Sequence, residues 1–440
     1  MLFAGSARAA GDADVLAAFA DGVDARVTDF TLTNGLQVIV YVDSSSPVVS
    51  TNVYYRVGFY YDPVGLNGIS HMMEHMTFQR SDRYKPGELF RMVKRAGGFN
   101  NGFTSSLYTG YYENFARDRW ELAMQIEASR MAKCLIADSD FVSEHQVVAE
   151  ETRLGENYPV AALWQQFQAV AFLANPQRNA MWPDDCNRFT TGNLREWYLK
   201  YYNPANAVLV VAGDVRPDEV RARAEQYFGK FKAAPVVLPD YYNQEPKQNG
   251  ERRIVVRRKV FTPTLAMGWH IPGIRDSGYQ AGPVASAVLA GGRSSRLWRA
   301  LVTENGLATS VWGNGWVERD PTLLTLYITP KAESLVPRIE EVVEREIKRL
   351  QTEPISDREL QQVHNQTLAG KISTRDDVSD MAFFLAHFQI TTGSWRGFKN
   401  ELMEIDRVTK QQVQDFCLKY LVPDNRTVGV LVAEKKEEKK

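Results

Sequence analysis

Two histidines, His71 and His75, stand four residues apart, and an acid, Glu74, immediately precedes the second. On a helix, side chains at i and i+4 lie one above the other, so two imidazoles so spaced can share one metal ion. Glu74 is then placed to act on a metal-bound water as general base. Zinc lowers the pKa of such a water toward ~7, and the carboxylate takes the proton and hands it to a leaving amine. A hydrolytic zinc site uses three protein ligands and keeps one position open. The third ligand must come from another element, and a helix expected over Asp140–Tyr158 offers Glu144, Glu150 and Glu151. Glu144 and Glu151 are seven apart and share a face, whereas Glu150 points about 100° away from Glu151. Periodicity does not choose among them. The plain alternative is a pair of surface histidines one helical turn apart. His145 and His270 have no such partners and read as structural. Met72, Met73 and Met76 read as core packing rather than ligands.

The elements around this motif follow from local pattern. Val27–Thr33 and Leu36–Tyr41 flank Asn34-Gly35, a strong hairpin signal. Val48–Gly58 reads as a third strand, and Asn67 or Ser70 is expected to cap the H-x-x-E-H helix. A helix over Gly87–Ala96 stops at Gly97-Gly98, and Phe99–Phe115 reads as two strands around Ser105-Ser106. Ala207–Gly213 is a buried strand. Residues 233–250 carry Pro235, Pro239 and Pro246 and no periodicity, which marks a linker. Beyond it, Ile254–Val256 among arginines reads as a charged edge strand. Trp197–Ala212 parallels Phe416–Leu431, with helix, Pro-x-Asn turn and buried strand in each. A duplicated unit of about 200 residues explains this. The expected class is α+β: two duplicated α/β domains, each a mostly antiparallel sheet packed by helices, forming half of a clamshell. Their expected bounds are 1–24 for a leader, 25–232 for an N-terminal zinc-binding catalytic domain, 233–250 for the linker, 251–434 for a homologous domain without metal, and 435–440 for a charged tail.

Composition narrows the field. At 440 residues more than one domain is expected. The net charge of −1 leaves no electrostatic footprint for nucleic acid. No run of apolar residues is long enough for a membrane span. Cys134, Cys186 and Cys417 are too scattered for a disulfide framework and read as buried thiols. Met1–Ala10 resembles the end of a secretory signal, with a small-x-small pattern at Ala7 and Ala9, which points to a bacterial periplasm, with a cytoplasmic location as the alternative.

H-x-x-E-H is the inverzincin signature. With Leu32–Val38, Gly68–Phe78, Gly97–Thr104, Glu144–Arg153 and Asn203–Asp214 in order, the chain resembles the pitrilysin/insulin-degrading-enzyme family over roughly residues 27–432. It is most similar to the mitochondrial-processing-peptidase-like bacterial branch. The resemblance implies a zinc metalloendopeptidase holding one Zn2+ per chain through His71, His75 and Glu151, the last in a Val-Val-x-Glu-Glu-like run. It implies Glu74 as catalytic base and Glu144, seven residues before Glu151, as a second glutamate that supports the site. It also implies that a peptide substrate adds as a strand beside Asn101-Gly102-Phe103-Thr104, where the family has Asn-Ala-x-Thr. One departure stands out. The family carries an Arg and a Tyr, seven apart, that hold the substrate carbonyl and the oxyanion; here those positions are Val302 and Thr309. A heterodimer with a related zinc-less subunit supplying the pair is therefore expected, against substitution by Arg299 or a weakly active homodimer. The alternative function is a non-catalytic structural or docking subunit of the same family; a zinc-stabilised binding module is a third.

Overall fold

The computed structural model describes residues 11–179, 181–238, 245–373 and 377–434. The signal-like Met1–Ala10, residues 239–244 of the expected linker and the charged tail 435–440 lie outside the described residues. The first half of the chain forms α1 (Gly11–Asp24), β1 (Val27–Thr31), β2 (Gln37–Val42), β3 (Val48–Tyr55), α2 (Ile69–Met76), α3 (Glu88–Arg95), β4 (Phe99–Thr104) and β5 (Thr109–Ala116). It continues through α4 (Glu121–Lys133), α5 (Asp138–Asn157), α6 (Pro159–Ala171), the short α7 (Pro183–Cys186), α8 (Thr191–Tyr201), β6 (Ala207–Gly213) and α9 (Pro217–Phe228). The second half forms β7 (Arg252–Arg258), β8 (Thr264–Ile271), α10 (Ala281–Ala290), a π-helical turn (Trp298–Glu304), β9 (Ala308–Asn314) and β10 (Thr322–Pro330). It closes with α11 (Val336–Thr352), α12 (Asp357–Ser373), α13 (Val378–Thr392), α14 (Gly397–Asp406), α15 (Lys410–Tyr420) and β11 (Arg426–Ala433).

These elements build two α+β units, each around one sheet. The six-stranded sheet has the order β1-β2-β6-β3-β5-β4, and the five-stranded sheet the order β7-β11-β8-β10-β9. Within them β6 runs parallel to β2 and antiparallel to β3, and β11 runs parallel to β7 and antiparallel to β8. The second sheet therefore repeats the first without β1, which is the duplication that the two Pro-x-Asn segments announce. Each of those turns is held in the same way. The Asn206 amide donates to the Tyr201 carbonyl at 2.9 Å, and the Asn425 amide donates to the Tyr420 carbonyl at 2.8 Å.

The units are not contiguous in sequence. The first gathers residues within 1–152, 181–240 and 369–400; the second gathers 153–180, 241–368 and 401–440. Helix α6, from the first half of the chain, lies on β7, β8 and β11 of the second sheet. Its Leu163 and Phe167 are fully buried there with Ala266, Leu323 and Leu431, a contribution of about 1.5–3 kcal/mol for each side chain. Helix α13, from the second half, lies on β2, β3 and β6 of the first sheet.

Strand β8 and helix α14 lack a sequence signal of their own. Leu265, Met267, Trp269 and Ile271 of β8 enter one core while Ala266 enters the other. A strand buried on both faces loses the apolar–polar alternation that marks a half-buried one. The arginine-rich β7 is indeed an edge, and its Arg253 forks onto Glu340 at 2.7 and 2.9 Å.

Candidate metal centre

Helix α2 is eight residues long and its sequence divides cleanly. Ile69, Met72, Met73 and Met76 recur at helical spacing and are essentially fully buried, so they fix the helix on the core. His71 and His75 occupy the opposite side, with side chains 25% and 18% exposed. The expected cap is corrected: neither Asn67 nor Ser70 caps this helix. Gly68 precedes it at φ +91, a left-handed conformation suited to glycine, and a Cβ there would meet Met181. The buried Asp62 accepts hydrogen bonds from the Gly68 N–H (2.7 Å), the Ser70 N–H (3.3 Å) and the Ser70 hydroxyl (2.6 Å). It thereby satisfies amides that an N-cap side chain would otherwise take. Burial pushes its carboxyl up to about 7, against these three hydrogen bonds.

Helix α5 brings the acids. His75 Nε2 lies 3.3 Å from Glu151 Oε2, and His71 Nε2 lies 3.8 Å from the same oxygen. One ligand atom from each of His71, His75 and Glu151 falls within 4.8 Å of the other two. On the far side of the ring, His75 Nδ1 is 3.2 Å from Glu144 Oε2. Glu144 and Glu151 thus share the helix face that periodicity allows, and they hold opposite nitrogens of one imidazole. Glu150 is exposed and outside the cluster. His145 and His270 are also outside it: their Nε2 atoms meet the Cys186 and Ala171 carbonyls at 2.8 and 2.9 Å.

The donor set suits zinc. Two imidazole nitrogens and a carboxylate are a common hydrolytic combination, and tetrahedral bonds of about 2.0–2.1 Å set ligand atoms about 3.3 Å apart. The two separations from Glu151, 3.3 and 3.8 Å, lie near that value, and all three ligand atoms lie within 4.8 Å of one another. Glu151 is 48% exposed, so the cluster opens to solvent on that side. Electrostatics point the same way. Burial, with help from His75, pushes His71 down to about 4, so it is neutral and ready to ligate. Burial also opposes charge on His75, but the Glu144 hydrogen bond and the Glu151 and Glu74 carboxylates outweigh it and raise its pKa. These acids favour a cation at His75, whether a proton or a metal.

Glu74 lies on the same helix but outside the ligand cluster, nearly buried. Burial raises its carboxyl, and the Thr104 hydroxyl, donating to Oε2 at 2.7 Å, works against that shift. Thr104 belongs to β4, the outermost strand of its sheet. Asn101, Gly102, Phe103 and Thr104 all lie on this strand, so the expected substrate strand is a sheet edge, with β5 as its only strand partner among the described residues. Gly102 passes so close that an added Cβ would lie 3.0 Å from the Phe78 ring and 3.1 Å from Glu74 Oε1. Below α2, Arg130 is fully buried with its guanidinium 4.2 Å from the Tyr111 ring and 4.9 Å from that of Phe78. It pairs with Glu127 and, at 3.3 Å, with Glu113. Asp62, Arg130 and the Thr104–Glu74 bond are the features that sequence spacing does not reveal.

Val302 and Thr309 belong to the second unit. Val302 sits on the π-helical turn, half-buried against the core, and Thr309 is exposed on β9 with its hydroxyl donating to the Thr329 carbonyl at 3.3 Å. Among the described residues no helix is long and apolar enough to cross a membrane.

Comparison with known proteins agrees with this arrangement. Residues 38–183 match the family model described as Insulinase (Peptidase family M16), and residues 188–367 match one described as Peptidase M16 inactive domain. The zinc protease PqqE of Helicobacter pylori is 30% identical over 374 residues, which are 82% of each chain. The crystal structure of a protease from Helicobacter pylori superposes with a TM-score of 0.86 at 26% identity, covering 92% of this chain and 99% of that one. The structure of a peptidase M16 inactive domain from Pseudomonas fluorescens shares the fold at a TM-score of 0.82 and 15% identity, covering 93% and 99%. With both halves matched in order, the chain belongs to the insulinase family, peptidase family M16.

Proposed function

We propose that this chain is a zinc metalloendopeptidase that hydrolyses extended peptides or unfolded protein segments. The observation that carries the reading is the convergence of His71, His75 and Glu151 within 4.8 Å, next to a buried glutamate that hydrogen-bonds the edge strand of its sheet. When bound, zinc supplies Lewis acidity to a peptide carbonyl and to a water. His71, His75 and Glu151 hold the ion, one per chain. Glu144 fixes the tautomer and orientation of His75 through Nδ1. Glu74 accepts the proton of the attacking water and returns it to the departing amine, while Thr104 holds one of its oxygens. The outer edge of β4, which has β5 as its only strand partner among the described residues, offers its backbone to an extended peptide, and backbone pairing tolerates many side chains.

The positions Val302 and Thr309 lack the guanidinium and phenol that would hold the substrate carbonyl and the oxyanion. A related zinc-less subunit supplying that pair, in a heterodimer, completes the site. The small-residue pattern at Ala7 and Ala9 supports export to a periplasm.

The test is metal content and peptide cleavage by the wild type and Glu74→Gln, each alone and with a zinc-less paralogue. Zinc at one per chain in both, and cleavage lost only in Glu74→Gln, is the expected result. Full cleavage by Glu74→Gln would end the general-base assignment. A metal-free, inactive wild type in every combination would favour a structural or docking subunit, to which the match of residues 188–367 to an inactive-domain model lends weight.

A further inference from the structure

Met181 stands where the chain returns to its first unit. That unit takes residues up to Thr152, residues 153–180 belong to the second, and the first resumes at Met181. The points of departure and return meet: the Met181 sulfur lies 3.8 Å from the Thr152 hydroxyl. Thr152 directly follows the candidate ligand Glu151. The same thioether covers Gly68, which precedes α2 and stands three residues before His71. A Cβ built on Gly68 would collide with the sulfur, and would lie 2.6 Å from Met181 Cγ and 2.9 Å from its methyl carbon. The Gly68 N–H is held as well, by Asp62 at 2.7 Å. One side chain thus reaches both the start of the histidine helix and the neighbour of the carboxylate.

A thioether suits this position. It is unbranched, apolar and polarisable, so it fills an irregular gap between two elements without demanding a hydrogen bond. The Thr152 hydroxyl keeps a 2.8 Å acceptor in the Val148 carbonyl of its own helix. The sulfur is also within reach of solvent: Met72, Met73 and Met76 are fully buried, whereas Met181 is half-buried. With hydrogen peroxide, the sulfur attacks one peroxide oxygen. An S–O bond forms as the O–O bond breaks, and the departing hydroxide takes the proton of the transferred oxygen and leaves as water. Sulfur loses two electrons and the peroxide gains them, giving the sulfoxide. The sulfur has no spare room against Gly68, and its new oxygen competes with the Val148 carbonyl for the Thr152 proton. Either response shifts Glu151 against His71 and His75.

We infer that Met181 is a positioning residue of the metal centre and a site of reversible oxidation. Its thioether sets α5 against the start of α2, and its conversion to the sulfoxide by a peroxide weakens the hold on zinc. The inference rests on the reading of His71, His75 and Glu151 as zinc ligands.

The test uses the full chain as wild type, Met181→Leu and Met181→Ala. Each is titrated with zinc against a chelating dye before and after hydrogen peroxide, and peptide mass mapping locates the sulfoxides. Met92 and Met403, the other half-buried methionines among the described residues, serve as internal controls. Untreated Met181→Leu should bind zinc within about threefold of wild type, because the exchange keeps volume. Met181→Ala should bind about 10-fold more weakly. Peroxide should weaken zinc binding by wild type about 10-fold, in step with sulfoxide at residue 181, and should leave Met181→Leu unchanged. Methionine sulfoxide reductase should restore the wild type. The metal-free oxidised chain should still melt cooperatively. Zinc affinity indifferent to sulfoxide at residue 181, an equal loss in Met181→Leu, loss of the melting transition on oxidation, or no sulfoxide at residue 181 would overturn the inference and leave the metal centre standing. Untreated wild type without stoichiometric zinc would overturn the metal centre itself.

Discussion

The Thr104 hydroxyl donates a 2.7 Å hydrogen bond to Glu74 Oε2, tying an edge strand to the acid of the H-x-x-E-H helix. A carboxylate that must move a proton gains from being held in one orientation. Thr104→Val removes the donor at nearly constant volume. We expect kcat to fall about 10- to 100-fold while zinc stoichiometry stays at one per chain, and Thr104→Ser to recover most of the loss. Steady-state kinetics with parallel metal analysis decides it; unchanged kcat in Thr104→Val would make the bond merely structural.

The two acids on α5 should separate by role. Glu151 offers a ligand atom, whereas Glu144 touches only the far nitrogen of His75. Glu151→Ala should abolish stoichiometric zinc. Glu144→Gln should bind zinc about 10- to 100-fold more weakly, the usual cost of removing an outer partner of a ligand. Competition against a chelating dye measures both. Equal losses would erase the distinction.

Gly102 stands where the family pattern carries alanine, and its crowding by Phe78 and Glu74 gives a reason for the smaller residue. Gly102→Ala should displace the Phe78 ring or Glu74 by a few tenths of an ångström, costing about 1–3 kcal/mol if they yield poorly. A lowered melting temperature together with a several-fold drop in cleavage is expected, with zinc retained. A crystal structure of the variant with both side chains unmoved would refute this.

Asp62 gives a pH dependence whose sign is fixed. Its folded carboxyl is raised to about 7 from its ordinary value of 3.8, chiefly by burial. The folded state therefore binds the proton more tightly than the unfolded one. The stabilisation is fully present below the unfolded pKa and is lost as pH rises toward about 7, by at most about 1.4 kcal/mol per pH unit. Asp62→Asn keeps one acceptor oxygen and cannot ionise. Relative to wild type it should gain stability between pH 4 and pH 7, which denaturant titrations at several pH values would reveal. A difference that stays flat with pH would contradict the assignment.

The histidine–glutamate cluster was legible in the sequence because helical spacing is a strict rule. His71 and His75 at i and i+4, and Glu144 and Glu151 at i and i+7, must share faces once their segments are helical. The duplication was legible for a similar reason, since Pro-x-Asn imposes one local turn wherever it occurs. Asp62 was not legible. It lies six residues before the amide it caps most closely, in a segment without periodic structure, and only the fold of the 62–68 loop brings it there. Strand β8 escaped because burial on both faces erases alternation. The partners of α6 and α13 escaped because a helix's apolar stripe does not say which sheet it will cover.

That last feature bears on how such a chain can be cut, copied or expressed. Each half donates a helix to the other's sheet, as two identical protomers do when they exchange an element across a swapped dimer. A fragment ending near residue 238 would leave β2, β3 and β6 without α13 and strand α6 with nothing to cover. Neither half is a free-standing module. Fragments made separately should expose apolar sheet and aggregate, and should regain solubility only when both are present together.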